Sequence, residues 1–504
     1  MKEQTSPHII EILNSKTQTE KFKKDELMKY SDNASDFSEV SVILYAKIEE
    51  GEKIKESIGS NESSNLEEIN LNLKASDIKG KDLDARLTEL LTGGKFPENF
   101  LNSPKSEQKD WLRNKMKMEL PDLPDNLINL LVGTAFDGDC GRTLEERPDW
   151  LDLEKFKRGQ KFARRHAFGL SYAQLLSLFV LFSFEDGLKP LVITGKSSTP
   201  YTAFKRYLST GIRLRNWYAE DPWTKDTAAY NDIKAVRKMH ANVRRRLEKT
   251  KNEDIDAEAK IQNPYCPTRD TLLQDFKSAC PAPAPGQCPY MAFQNTEVVP
   301  VRPKGLNQGE MVATQFGFLG LLVLYPKYFG VHNVTEKDLE DFCHTWRGLG
   351  YLLGIDDDLN LCRGSLSDIK QRCTDFLELW AKPNFRDFTP ECEHMMRCVV
   401  DGLQYYWPGV TYEISILYLS EILNLHMPRL YSSLSYVDRI KHNIIKSFFC
   451  YTSRLPGMMT LMNKKLDAAF DKALNFNPEK HEELKKKSEE SIQRRLLMDF
   501  STYL

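Results

Sequence analysis

Residues Ile233–Leu247 read IKAVRKMHANVRRRL, and their spacing decides the regular structure. Ile233, Val236, Met239, Val243 and Leu247 recur at intervals of three and four, the period of one face of an α-helix. His240 lies on that stripe, four residues after Val236 and three before Val243. Lys234, Arg237, Lys238, Arg244, Arg245 and Arg246 occupy much of the remaining surface, so the helix reads as cations outward and one imidazole inward. A buried imidazole needs a partner. Two readings stand: a core histidine bonded to a carbonyl, or a ligand to a metal or haem iron.

The same periodicity extends outward from this segment. From about residue 80 the apolar residues recur at three and four, as in Leu83, Leu87, Leu90 and Leu91, and alternating strand patterns are nearly absent. Helices are expected over about 107–118, 125–134, 151–187, 201–219, 227–249, 308–325, 336–354, 366–381, 387–404, 410–424, 434–452, 456–474 and 478–499. The expected class is all-α, a single large helical bundle. Val40–Ala46 and Leu191–Thr194 are the best strand candidates, and both are too short to found a sheet.

Residues 1–75 are rich in Lys, Glu, Ser and Asn and cannot bury much core, so they read as a mostly disordered polar lead. A helical extension is expected over 76–144, the main domain over 145–430 and a second helical extension over 431–504. Asn263-Pro264, Cys266-Pro267 and the run CPAPAPGQCP mark 250–306 as a non-helical surface insertion. Glu479–Met498, EKHEELKKKSEESIQRRLLM, has the alternating charge of a solvated helix, with a docking or membrane-surface role as the alternative.

The chain has 504 residues, enough for a buried site, and 70 Lys plus Arg against 72 Asp plus Glu, which leaves no global field to attract a polyanion. Nucleic acid is therefore not an expected partner. The ten Cys form no CxxC and no regular framework, and the opening stretch lacks a secretory h-region. The expected compartment is reducing and cytoplasmic, with peripheral contact at the endoplasmic reticulum membrane kept open. Ala167–Phe184, AFGLSYAQLLSLFVLFSF, is near the lower limit for a bilayer span, but Ser171, Tyr172, Gln174 and Ser177 favour a helix buried on all sides.

Several motifs fail on inspection. Thr194-Gly195-Lys196-Ser197 invites a phosphate loop, yet the glycine required five residues before Gly195 is Pro190. Asp356, Asp358 and Asn360 have the opening spacing of a calcium loop, but Leu361 stands at the glycine position and Ser367 at the bidentate glutamate position, so helix capping is the simpler account. Cys266, Cys280 and Cys288 match no zinc spacing. His166 and His344 lie on no clear apolar stripe and read as structural, with a non-haem metal site shared with His240 as the alternative.

The preceding helix, Thr202–Tyr218, carries Phe204, Tyr207, Leu208, Gly211 and Ile212 on one face and Arg206, Thr210, Arg213 and Trp217 on the other. An interior Arg can pair with a carboxylate, and a Thr hydroxyl can bond a ligand oxygen; an ordinary basic surface is the competing reading. The order Arg206-x-x-Ser209-Thr210, followed thirty residues later by His240 within Val236-Arg-Lys-Met-His-Ala-Asn-Val-Arg244, resembles the signature of the rubber oxygenases (latex-clearing proteins). That signature is shared with the endoplasmic-reticulum oxygenase of mycophenolic acid biosynthesis. Trp346–Ile355, WRGLGYLLGI, is similar to a later helix of that family, and Thr314–Phe318 and Pro148–Asp152 resemble segments of its uncharacterised animal members. The likeness covers about residues 145–430.

The resemblance implies a globin-like helical core holding haem b, with His240 as axial ligand and Arg206 and Thr210 stabilising the haem pocket. It implies a haem-dependent oxygenase in which dioxygen is co-substrate and the double bond of an isoprenoid or other unsaturated lipid is cleaved to carbonyl products. Haem would supply oxygen activation while the protein supplies the axial ligand and an apolar channel, for which Ala167–Phe184 and Phe316–Leu324 are candidates and plain core is the competing reading. Two departures matter. Ser209 stands where a lysine can cap the iron in the bacterial enzyme, and Lys189-Pro190-Leu191-Val192 lacks the carboxylate expected before the Arg, leaving Glu185 and Asp186 only if a gap is allowed. A helical haem- or lipid-binding sensor without turnover is the alternative function.

Overall fold

The computed structural model describes residues 100–282 and 305–501. Its main helices are α1 (Lys105–Glu119), α2 (Asp125–Gly133), α3 (Leu153–Arg165), α4 (Ala167–Phe182), α5 (Glu185–Ile193), α6 (Pro200–Ala219), α7 (Ala228–Lys249), α8 (Asn252–Glu258) and α9 (Arg269–Ala279). They continue as α10 (Gln308–Leu324), α11 (Glu336–Leu352), α12 (Leu366–Asp375), α13 (Pro390–Leu403), α14 (Tyr412–Ile422), α15 (Tyr436–Cys450), α16 (Met458–Leu474) and α17 (Pro478–Ser501). Among the described residues no strand forms, only an isolated antiparallel bridge between Asp137 and Asn307, so the class is all-α. The lead 1–75 and the strand candidate Val40–Ala46 lie outside the described residues.

Helix starts are set by side chains that take up otherwise orphaned backbone N–H groups. Asp152 accepts from Lys155 N, Asn307 from Glu310 N, and Thr199 and Thr335 form reciprocal capping boxes with Thr202 and Asp338. The expected single helix over 151–187 is instead three. His166 leaves helical geometry at φ −112°, ψ 22°, and α4 and α5 meet at a bend of 106° beyond Ser183. Leu191–Thr194 belongs to the end of α5, with Pro190 inside that helix, and forms no strand.

The core is centred on α4 and α10, which pack together, while α3 crosses α11 and α6 crosses α13. A Cβ on Gly159 would overlap the Asp341 carbonyl oxygen and Thr345 Oγ1, so α3 and α11 meet backbone to backbone. Gly402 does the same for α13, where a Cβ would stand 2.6 Å from Pro200 O. No single helix among the described residues is long and apolar enough to cross a membrane. In α4 two of the polar side chains are met inside the protein: Ser177 Oγ donates to Ala173 O at 2.9 Å and Gln174 Nε2 to Phe318 O at 3.3 Å.

The stretch 250–306 departs from expectation, since it carries α8 and α9. Leu272 and Phe276 of α9 are buried, Phe276 stacks on Phe385 at 4.8 Å, and buried Asp275 accepts from Arg429 and from Leu430 N. Prolines at 264, 267 and 281 flank this helix rather than interrupt it. The C-terminal helices also hold core: Phe470 of α16 packs into the space beside Gly211 of α6, and buried Ser488 of α17 accepts from Tyr201 N at 3.1 Å.

Candidate functional site

Helices α6 and α7 pack against each other and bring the three residues singled out in the sequence to one locality. Their junction is fixed by charge. Glu220 accepts from Ala229 N at 3.1 Å, Thr227 caps Tyr230 N, and Asp232 of α7 takes Asn216 Nδ2 at 2.9 Å with Arg213 Nε at 3.5 Å.

Arg206 is half-buried and its Nη1 donates to the hydroxyl of fully buried Ser197 at 3.0 Å. It makes no ion pair among the described residues, so a guanidinium stands there with a neutral partner. Thr210 donates its hydroxyl proton to the Arg206 carbonyl at 3.1 Å, which leaves its oxygen lone pairs to accept. Ser209 receives a hydrogen bond from Arg213.

His240 is half-buried on α7, and its Nδ1 is shut away from solvent with no hydrogen-bond partner. Burial, helped by the positive charges of Arg244 and Arg206, pushes the ring down to about 4, against the opposing pull of Asp139. The imidazole is therefore neutral near pH 7, the state in which a ring nitrogen has a lone pair to give.

The cations on α7 are not all outward. Arg237 donates through Nε to Asp139 Oδ2 at 2.9 Å and through Nη1 to Arg142 O at 2.9 Å, and Arg244, buried, reaches Asp137 at 3.3 Å and Asp139 at 3.9 Å. Both sit on the His240 side of the helix, at i−3 and i+4. Burial works against the Asp139 charge, but the Arg237 hydrogen bonds and the Gly141 N–H outweigh it and hold the carboxyl below its usual range. The 137–142 segment is in turn tied down: Arg142 donates to Tyr351 O and Ile355 O, and Gln308 donates to Asp137 O and Gly354 O. Sequence periodicity could not find this arrangement, because Asp139 and Arg237 lie 98 residues apart.

Two segments quoted for their family likeness also meet. Trp150 carries the Arg347 guanidinium 3.8 Å from its ring centre and stands edge-on to His344 and Tyr351. His344 Nε2 accepts Asp152 N–H at 3.1 Å, and His166 lies against Phe162 at 4.7 Å with burial pushing its pKa to about 4. No group of three His, Cys, Asp or Glu able to hold a metal ion occurs among the described residues. The acids after Gly354 do not cap a helix; Asp356 holds buried Lys109 at 2.6 Å, and Asp357 takes Arg347 through two bonds. Glu185 and Asp186 both face Lys189, at 3.8 and 2.6 Å.

A second buried polar cluster, unforeseen in the sequence, lies on α13. His394 Nδ1 accepts Tyr265 N–H at 2.9 Å and its Nε2 lies 3.0 Å from Ser198 O, the pairing of one neutral tautomer. Arg397 joins fully buried Glu393 at 2.8 Å to Glu413 at 2.7 Å.

The donor set on α6 and α7 suits a haem: a neutral imidazole with an orphaned nitrogen, and an unpaired guanidinium for an anionic edge. No family model matches the chain, and no curated protein matches it. Among solved structures, latex clearing protein in its closed state aligns with a TM-score of 0.41 and 14% identity, covering 74% of this chain and 91% of that one, a level at which likeness assigns no function.

Proposed function

We propose that this chain is a haem-dependent oxygenase that uses dioxygen on the double bond of an isoprenoid or other unsaturated lipid. The observation that carries the reading is His240: a neutral imidazole with a sealed nitrogen that no protein group meets, beside the Arg206 guanidinium that no carboxylate meets. His240 would hold the iron of a haem b, Arg206 would offer its charge to an anionic group of the cofactor, and Thr210 would offer a hydroxyl oxygen to the pocket. The haem, when bound, supplies oxygen activation. Arg237 and Arg244, locked by Asp139 and Asp137, keep the His240 turn in place, while burial, with the charges of Arg244 and Arg206, holds the ring's pKa low so that it stays free of a proton. Cleavage of an alkene by one dioxygen places one oxygen atom in each of two carbonyl products, so the reaction balances without an external reductant.

The test is the absorption spectrum and pyridine haemochrome of purified protein and of His240→Ala. One b-type haem per chain, lost or spectrally shifted in the variant, is the expected result; a colourless protein that also refuses added haemin overturns the reading. A second reading, a haem or lipid sensor without turnover, is favoured by Glu185 and Asp186, whose carboxylates are committed to Lys189 instead of serving as a base. Haem-loaded protein that consumes no oxygen with any isoprenoid supplied would select it.

A further inference from the structure

We propose that the exposed face of α15, with the chain that follows it to Leu461, docks on an anionic lipid bilayer surface. Helix α15 is apolar on two sides. His442 and Phe449 turn into the core, while Tyr436, Ile440 and Ile444, at steps of four, are 78%, 42% and 61% exposed. In the chain that follows, Tyr451, Leu455 and Leu461 are exposed as well. A surface helix ordinarily places polar residues there, and scattered exposed apolar side chains need no account, but a contiguous patch marks an interaction surface.

Charge identifies the partner. Between Arg429 and Lys465 the sequence has seven Lys or Arg against Asp438 alone, in a chain whose net charge is −2. Arg429, Lys441 and Lys446 are held by Asp275, Asp438 and Glu421, whereas Arg454, Lys464 and Lys465 make no ion pair among the described residues. Arg454 lies 5.9 Å from the Tyr451 ring centre, so a cation and an amphipathic ring share one edge of the patch. Aliphatic side chains flanked by tyrosine and unpaired cations suit the boundary between acyl chains and anionic headgroups, where apolar burial and phosphate attraction act together. The face is separate from both segments the sequence offered for membrane contact, since Ala167–Phe184 is core and α17 packs on α6. The inference stands independently of the haem reading.

Flotation of the full-length protein with phosphatidylcholine vesicles, with and without phosphatidylserine, tests it. Wild type is expected to float with the phosphatidylserine vesicles, less with neutral ones, and less again as salt is raised. Ile440→Glu with Ile444→Glu is expected to lower the bound fraction by about tenfold or more, with circular dichroism and thermal midpoint unchanged because both positions are exposed. Lys464→Glu with Lys465→Glu should lower it several-fold on phosphatidylserine vesicles alone. Wild type that does not float, or an isoleucine double variant that floats as wild type does, overturns the proposal. So does a wild-type dimer that the double variant converts to a monomer while neither binds vesicles, since the face would then join two copies of this chain.

Discussion

His240 on α7 and His394 on α13 stand in similar settings, each on a helix whose arginines hold carboxylates from elsewhere in the fold. They differ in what meets the ring. Both nitrogens of His394 have backbone partners, at 2.9 and 3.0 Å, and Arg397 beside it is clamped between Glu393 and Glu413. His240 has a sealed Nδ1 with nothing to bond, and Arg206 nearby has a serine hydroxyl and the Tyr207 ring but no carboxylate. Buried polar groups are usually satisfied, so the His394 ring, met on both nitrogens, reads as architecture; an unmet buried atom also occurs at Glu393 Oε2 and at the His166 and His442 rings, and what sets His240 apart is the Arg206 guanidinium nearby that no carboxylate meets.

The widest separation between the two regions is expected in haem binding. His240→Ala should abolish the Soret band or shift it, and His394→Ala in folded protein should keep it; equal loss in both would erase the distinction. Next comes stability. Arg397→Ala leaves fully buried Glu393 and its neighbour Glu413 without a cation and should cost about 3–5 kcal/mol in chemical denaturation. Arg237→Ala should cost less, about 1–3 kcal/mol, because Asp139 keeps the Gly141 N–H and Arg244. A smaller contrast separates the histidines themselves: His394→Ala strands a Tyr265 N–H and a Ser198 carbonyl and should cost about 1–3 kcal/mol, whereas haem-free His240→Ala should stay within about 1 kcal/mol of wild type.

The smallest expected effect is in pH. An unfolded His titrates near 6.5 and folded His240 near 4, so between those values the unfolded chain takes up a proton that the folded one refuses. Haem-free protein should therefore lose stability as pH falls from about 6.5 to 4, and His240→Leu should flatten that slope by on the order of 1 kcal/mol, allowing for the ring's partial exposure. Urea melts of the two proteins at pH 7 and pH 4.5 measure it; parallel slopes would mean that His240 is not the group held neutral.

Much of the helical framework is legible in the chain because three-and-four periodicity is a local property. Ile233, Val236 and Leu247 are buried as their spacing requires. The breaks inside 151–187 are not legible, since His166 and Ser183 are neither proline nor glycine and the turns are imposed by packing. Helix α9 was obscured by the prolines around it, although Leu272, Leu273 and Phe276 carry the helical period. At the site, spacing alone leaves Arg206, Thr210 and His240 open between core or surface and a ligand pocket, and only the family resemblance singles them out, while the same spacing assigns Arg237 and Arg244 to solvent because the aspartates that bury them lie about a hundred residues earlier. The unpaired state of the His240 nitrogen is a property of everything around it, which no window of sequence contains.

The ties across this fold also bear on when it can form. Lys109 meets Asp356 across 247 positions, and Asn126 meets Asp375 across 249. Gln174 of α4 bonds to Phe318 of α10, 144 positions later, and α4 is among the most apolar helices in the protein. At ribosomal speed α4 leaves the exit tunnel roughly ten to thirty seconds before its main packing partner exists. Throughout that interval α4 can pack only on its sequence neighbours α3 and α5, so the nascent chain is expected to present an apolar face that its finished form hides.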